Sequence, residues 1–399
     1  MLVLKPTAVL DIGSSKIVCL CGSSAVRGGT VVHGAGIAEY SGFSETEFLN
    51  EADLEEAIFT AIRDAEEMAR IRIRDIVVSV PAPFSKLIVT DASFRTESRK
   101  DRITEEDIDD LISLSLAKAE APGYVLMHST PIWFTVDGYT TPEVPQGQHA
   151  GEVSASVSHM YVAEAFLDKL TSILQKLSVE ISMCISAQLA ESLLLIPEEE
   201  RVRPAVLIDV GYTHTDISVI ENAALTDITC IDIGGAQIAR DLSYGLDIPL
   251  ESAEQIKRKY NFLQVAESGI VQVHLLTGIK RVERRVIDLI VQARAEEFVD
   301  LIGKSLRMLG IHPESRPVVY LSGGGFSMMR GGCEYLRQKL RLNIKRDMPY
   351  MPDMDTPNYT SAFGALDFVL HAGGSDQDTG AGLDTRPGFL NKLRDLFIQ

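Results

Sequence analysis

Two aspartates, Asp11 and Asp209, each close a short apolar run and open onto a glycine turn: Ala8-Val9-Leu10-Asp11-Ile12-Gly13 and Val206-Leu207-Ile208-Asp209-Val210-Gly211. A third run, Val318-Val319-Tyr320-Leu321, ends in Ser322-Gly323-Gly324-Gly325-Phe326. Short apolar runs bounded by turn residues read as buried strands, and glycine turns let backbone N–H groups approach an anion. A single Asp-x-Gly is more often a tight bend after a buried strand. Three strand ends in this order point instead to one shared ligand, and a nucleoside triphosphate with its metal is the natural occupant. An aspartate at a strand end can hold hydrated Mg2+ while the turn backbone cradles phosphate oxygens. Asp11 and Asp209 are thus the candidate metal-facing residues, acting through water. Gly13, Ser14 and Ser15 are expected to line the phosphates and Lys16 to offset their charge. Gly211 keeps the outline of the second turn, with Tyr212, Thr213 and His214 forming its loop. Gly323, Gly324 and Gly325 are expected to bring backbone close to the nucleoside, where any side chain would block it.

A chain of 399 residues with 45% hydrophobic content exceeds what one core usually supports, so two domains with a cleft between them are expected. The formal net charge of −18 argues against nucleic acid as a partner, because phosphate backbones are bound by clustered Lys and Arg. Five cysteines, odd in number and without metal-site spacing, read as cytosolic thiols. Cys19 and Cys21 fall on one face of a strand and read as small apolar fillers. No apolar stretch is long enough to span a bilayer, and the first residues lack the pattern of a secretion signal, so a cytoplasmic location is expected.

Along the chain, a helix over 53–69 presents Leu54, Ala57, Ile58, Ala61, Ile62 and Ala65 on one face. The pattern changes after Val80: strand-like runs surround a helix that Thr104 caps, with Glu105, Glu106 and Asp107 in its first turn. From Ala205 the chain repeats its opening theme of strand, Asp-x-Gly turn and returning strand. Helical patterns then cover 250–260, 282–308 and 360–370. Residues 373–382 carry almost no apolar content and read as a flexible tether.

The segments Leu10-Asp11-Ile12-Gly13-Ser14-Ser15-Lys16, Ile231-Asp232-Ile233-Gly234-Gly235, Ala253-Glu254-Gln255-Ile256-Lys257 and Leu321-Ser322-Gly323-Gly324-Gly325 together resemble the actin, Hsp70 and sugar-kinase superfamily. Over nearly the whole chain, and in the placement of the module inserted after Val80, the resemblance is to the bacterial cell-division family FtsA. It implies an α/β, actin-like two-domain ATPase fold with an inserted small α+β subdomain of the SHS2-like kind and a C-terminal amphipathic helix. The implied division is 1–83 with 163–198 as first domain, 84–162 inserted, 199–248 with 309–370 as second domain, 249–308 as its small subdomain, 371–387 linker and 388–399 terminal helix. The resemblance brings Gly234 and Gly235 to the nucleotide, Glu254 and Lys257 to the ribose or base, and Gly324, Gly325 and Met328 to the adenosine of ATP. Taken alone, Glu254 and Lys257 read as a surface ion pair. Tyr212-Thr213-His214 depart from the family's glycine-rich second loop and leave at most a weak ATPase; His214 is a candidate base by position only.

In the terminal segment, Phe389, Leu390, Leu393, Leu396 and Phe397 form one helical stripe, with Lys392 and Arg394 on the other side. Such a helix can lie flat in a membrane interface or dock on the protein's own body; the polar tether favours the membrane. The body's negative charge leaves apolar insertion and avidity to hold it there. The family resemblance implies inner-membrane lipids, further copies of the chain in a filament, the C-terminal tail of FtsZ and later division proteins as partners, at the inner face of the division site. Arg284, Arg285 and Arg294 are the candidate basic surface for the FtsZ tail, or ordinary solvated helix charge. A kinase of small metabolites on the same fold and a PilM-like pilus-assembly scaffold are the alternatives.

Overall fold

In the computed structural model, which describes residues 6–25, 29–95, 102–264, 269–275, 278–346 and 356–372, the opening run folds as the strand Thr7–Ile12 and turns back at Gly13 into Lys16–Ser24. The return strand pairs with Thr30–Glu39, and on the other side Thr7–Ile12 lies parallel to Asp75–Val80, itself parallel to Glu180–Ser186. The result is a five-stranded mixed sheet. Strand alternation gives the sheet two buried faces. Ile17, Cys19 and Cys21 meet the helix Glu51–Ala69, which buries the apolar stripe legible in the sequence, while Val18 and Leu20 meet the last described helix, Thr360–Ala372. Both cysteines are buried free thiols.

The second sheet is built the same way. Ala205–Val210 turns back into Thr215–Glu221, which pairs with Ala224–Ile231, and Val318–Ser322 adds in parallel on the far side, followed by Ile344–Lys345. The duplication extends to register: Asp11 opposes Val18 and Asp209 opposes Asp216, the same step across each hairpin. Both turns are closed by the same bond, from the Gly13 N–H to the Lys16 carbonyl at 3.0 Å and from the Gly211 N–H to the His214 carbonyl at 2.9 Å. Tyr212, Thr213 and His214 therefore change the side chains of the second loop without changing its backbone turn. In the duplicated geometry, His214 takes the place of Lys16.

Inserted between two strands of the first sheet, Asp75–Val80 and Glu180–Ser186, the strands Ser85–Arg95, Glu152–Ala163, Tyr124–Val136 and Tyr139–Thr141 form a separate four-stranded antiparallel sheet. The helix Glu105–Leu116 covers one face through Ile108, Leu111 and Ile112, and Thr104 and Asp107 close its capping box. Near the second sheet, the helices Gly235–Leu246, Leu250–Lys259 and Arg284–Met308 and the hairpin Ile270–Leu275 with Gly278–Glu283 share one core with it, Val291 and Phe298 packing in the same cluster as Ile208 and Ile238.

One expected assignment is corrected. The division implied by the resemblance places residues 360–370 in the second domain, yet Ala362, Phe363, Ala365 and Leu366 pack on Val9, Val18 and Leu20 of the first sheet. Small residues allow this: a Cβ on Gly364 would stand 2.9 Å from the Ala190 carbonyl oxygen, so the helix lies directly against Ala187–Leu195. Thr30 donates to Asp367 at 2.6 Å and Ser24 to the Leu370 carbonyl at 3.2 Å. The chain thus crosses from the second domain back to the first just beyond residue 356.

Candidate functional site

The two duplicated turns meet. The Thr213 N–H donates to Ser14 Oγ at 3.3 Å, joining the loop of the first domain to that of the second. Beneath this contact the strand ends deliver Asp11 and Asp209. Burial raises the Asp11 carboxyl above the ordinary range, opposed by the hydrogen bond from Ser361 and by the charge of Lys16. The Ser361 bond is 2.7 Å long. Asp209 is pushed up to about 7, first by burial and then by the charge of Asp216.

Two further carboxylates share this space. Glu191, 2% exposed, accepts from Ser322 Oγ, and burial together with the charge of Asp209 holds its carboxyl well above the usual range. Asp216 accepts from Gln188 Nε2 at 3.0 Å and lies 3.4 Å from His214 Nε2. Burial pulls the His214 imidazole down, but Asp216 and Asp209 outweigh it and the net direction is upward. The ring also packs 5.3 Å from that of Phe43. Lys16 is lowered to about 8 by burial, against the pull of Asp11 and Glu39, and its ammonium stands 3.8 Å over the Tyr359 ring.

Glu191, Gln188, Asp216 and Tyr359 join the site without having been expected there from the sequence. The first three had a readable signal: an acid and an amide in the otherwise apolar helix Ala187–Leu195, and an acid within the buried strand Thr215–Glu221. Charged groups stay in such places when a site needs them.

The third turn packs against the second hairpin. Gly323, at φ +84°, and Gly325 are glycine because the second hairpin presses on them: added Cβ atoms would lie 2.1 Å from Asp209 Oδ1 and 2.1 Å from the Gly211 carbonyl oxygen. The Gly325 N–H donates to the Val210 carbonyl at 2.7 Å, the Gly235 N–H to Gly211 at 3.0 Å and the Ala236 N–H to Tyr212 at 2.8 Å. Gly323, Gly325, Gly234 and Gly235 thus form a backbone knot under the second loop. Only Gly324 faces elsewhere, toward Asn358 and the Met328 sulfur. Met328 itself is 44% exposed.

Glu254 and Lys257 are joined, at 2.9 Å, but not on the surface: Lys257 is 5% exposed, donates to the Gly235 carbonyl at 3.0 Å and stands 5.6 Å from the Tyr212 ring. The structure therefore brings both residues to the second loop. It does not unite the three arginines. Arg294 forms a two-pronged pair with Asp241 and bonds Glu297, and Arg284 bonds Gln264; of the three, only Arg285 is exposed. Nine residues separate Arg285 from Arg294, which puts them on opposite sides of a helix. Phe389, Leu390, Lys392, Leu393, Arg394, Leu396 and Phe397 lie outside the described residues, and no helix among the described residues is long and apolar enough to cross a membrane.

Asp209 Oδ1 and Asp216 Oδ1 are buried and meet no hydrogen-bond donor among the described residues. Such acceptors call for a donor or a cation. No cluster of three or more His, Cys, Asp or Glu among the described residues is arranged to grip a metal directly. The two unmatched carboxylate oxygens are of the chemistry that suits a hydrated cation, whose waters would supply the missing donors.

Two sheets of matching register, joined at their hairpin turns over buried carboxylates, make an actin-like fold. The solved PilM-PilN type IV pilus biogenesis complex shares this fold with a TM-score of 0.63 at 15% identity, over 92% of this chain and 99% of that one. MreB5 of Spiroplasma citri bound to ADP does so with a TM-score of 0.53 at 11% identity, over 91% and 96%. In sequence the chain is similar to bacterial FtsA: the family model Cell division protein FtsA matches residues 206–364. Cell division protein FtsA of Pseudomonas aeruginosa is 23% identical over 90% of this chain and 88% of its own length, and that of Neisseria meningitidis serogroup B is 24% identical over 90% and 89%.

Proposed function

We propose that this chain is an ATP-binding, actin-like cell-division protein that assembles on the inner face of the cell membrane at the division site, links FtsZ filaments to it and recruits later division proteins. The observation that carries the nucleotide reading is the meeting of Ser14 and Thr213 above Asp209 Oδ1, an acceptor that is buried and unmatched among the described residues. Asp11 and Asp209 are the residues to hold hydrated Mg2+, which when bound offsets phosphate charge. Lys16 is the nearest cation on the first loop, and Ser14, Ser15 and Thr213 are the groups that face the phosphates. Seating them requires the Ser14–Thr213 contact to part, so nucleotide sets how the two domains stand to each other and thereby the geometry of a stacked protomer. His214 is tied to Asp216 and packed on Phe43, an arrangement suited to holding the loop more than to moving protons. Hydrolysis is accordingly weak at most.

For the FtsZ tail, the start of the Arg284–Met308 helix offers exposed Val286 and Leu289 near exposed Arg285, an apolar strip with a cation at its edge that suits a short apolar and acidic peptide. Attachment to lipid falls to residues 388–399. Burying the five apolar side chains of that stripe is worth roughly 8–15 kcal/mol gross, before ordering and immobilisation are subtracted. Single tails hold modestly and a filament holds firmly.

The likeness in fold to the PilM-PilN complex favours one second reading, a PilM-like assembly scaffold. Vesicle flotation with Mg–ATP, comparing the full chain with one ending at Arg386, and co-sedimentation with FtsZ polymers test both. The cell-division reading predicts that only the full chain floats and that it pellets with FtsZ. Equal flotation removes the tether, and no pelleting favours the scaffold.

A further inference from the structure

The short turn Pro357–Tyr359 lies where the chain crosses back to the first domain, and its last two residues touch both halves of the site. The ring of Tyr359 lies under the Lys16 ammonium, on the phosphate loop of the first domain. Asn358, next to it, packs on the one glycine of the third turn that the backbone knot does not use: a Cβ on Gly324 would stand 2.9 Å from the Asn358 Cβ and 3.8 Å from the Met328 sulfur. Asn358 Oδ1 is buried and meets no donor among the described residues. A buried carboxamide oxygen with nothing to accept from is costly, and such groups persist where a ligand supplies the donor.

We propose that Asn358 is a nucleoside-contacting residue, its Oδ1 accepting a hydrogen bond from a donor on the bound nucleoside, with Gly324 and Met328 as its neighbours at that subsite. This rests on the nucleotide reading above. Two nucleoside groups carry the required chemistry, the exocyclic amine of adenine and the ribose hydroxyls. Tyr359 keeps the side chain in place, since its ring is fixed on Lys16 and the turn is closed by the bond from the Tyr359 N–H to the Thr356 carbonyl at 3.1 Å. A site that offers an acceptor for a ligand donor rejects the analogue lacking it, because the acceptor is then left buried and unmatched.

Calorimetry with Mg–ATP, Mg–ITP and Mg–2′- and 3′-deoxy-ATP on the full chain tests the assignment, with wild type, Asn358→Ala and Asn358→Asp compared after thermal melts establish folding. The Ala variant is expected to bind ATP about tenfold more weakly, and the Asp variant, which keeps the acceptor, to lose less. If the amine is the donor, wild type prefers ATP to ITP about tenfold and the Ala variant loses that preference. If a ribose hydroxyl is the donor, the Ala variant weakens ATP and ITP alike, and one deoxy analogue binds wild type as weakly as ATP binds the variant. ATP binding by wild type that is unchanged in Asn358→Ala overturns this assignment alone. No ATP binding by wild type overturns the nucleotide reading and this one with it.

Discussion

Replacing Asp209 by asparagine should make the ligand-free protein more stable at alkaline pH while removing its capacity for Mg–ATP. The folded carboxyl keeps its proton up to about 7, whereas an unfolded aspartate releases it near 3.8. Between these values the folded state binds more protons, so stability falls as pH rises through the window and levels off above it. With both states ionised, the loss is about 4 kcal/mol; at pH 5.5 it is about 2 kcal/mol. Asparagine removes the titration but buries an amide whose N–H groups are imperfectly matched, at a cost of about 1–3 kcal/mol. The net gain at pH 8 is then about 1–3 kcal/mol, or roughly 3–8 °C in Tm for a domain of this size. At pH 5.5 the two terms nearly cancel. The assay is thermal denaturation followed by circular dichroism at both pH values without nucleotide, paired with calorimetry for Mg–ATP. An Asp209→Asn variant less stable than wild type at pH 8, or a difference that does not change with pH, would refute the reasoning that buried like charge is held here for a cation.

Three other outcomes are expected. Gly325→Ala drives a Cβ into the Gly211 carbonyl oxygen at 2.1 Å and should cost at least about 1–3 kcal/mol in chemical denaturation, with ATP binding lost as the knot shifts; wild-type values for both would contradict the packing described. Arg294→Ala should lower stability by about 1–3 kcal/mol through loss of the Asp241 pair and leave binding of an FtsZ-tail peptide unchanged, measured by denaturation and fluorescence anisotropy. Leu289→Asp should do the reverse, weakening peptide binding at least about tenfold with an unchanged melting curve, because that side chain is 62% exposed.

How much of this was legible depended on whether a signal was local. The two Asp-x-Gly turns could be read because strand, acid and glycine lie within six residues, and the Glu51–Ala69 helix because its stripe repeats. The matching turn bonds at Gly13 and Gly211 show that the duplication is geometric, which sequence identity alone concealed, since Ser14-Ser15-Lys16 and Tyr212-Thr213-His214 share no residue. Glu191 escaped notice because its relation to Asp209 exists only after a helix and a strand from different domains meet. The glycines of the third turn suggest clearance for a ligand when two of them are clearance for the Val210–Gly211 backbone; contact between loops that are more than 100 residues apart leaves no local pattern. The misplacement of the Thr360–Ala372 helix has the same origin, since its attachment is set by Gly364 against Ala190.

On this reading the Asp11 and Asp209 hairpins enclose one Mg–nucleotide. Crystals grown with Mg–ATP should then show phosphates between Ser14 and Thr213, a hydrated cation facing Asp11 and Asp209, and the Ser14–Thr213 contact parted. Nucleotide found elsewhere, or hairpins still in contact with no phosphate between them at saturating ATP, would contradict it.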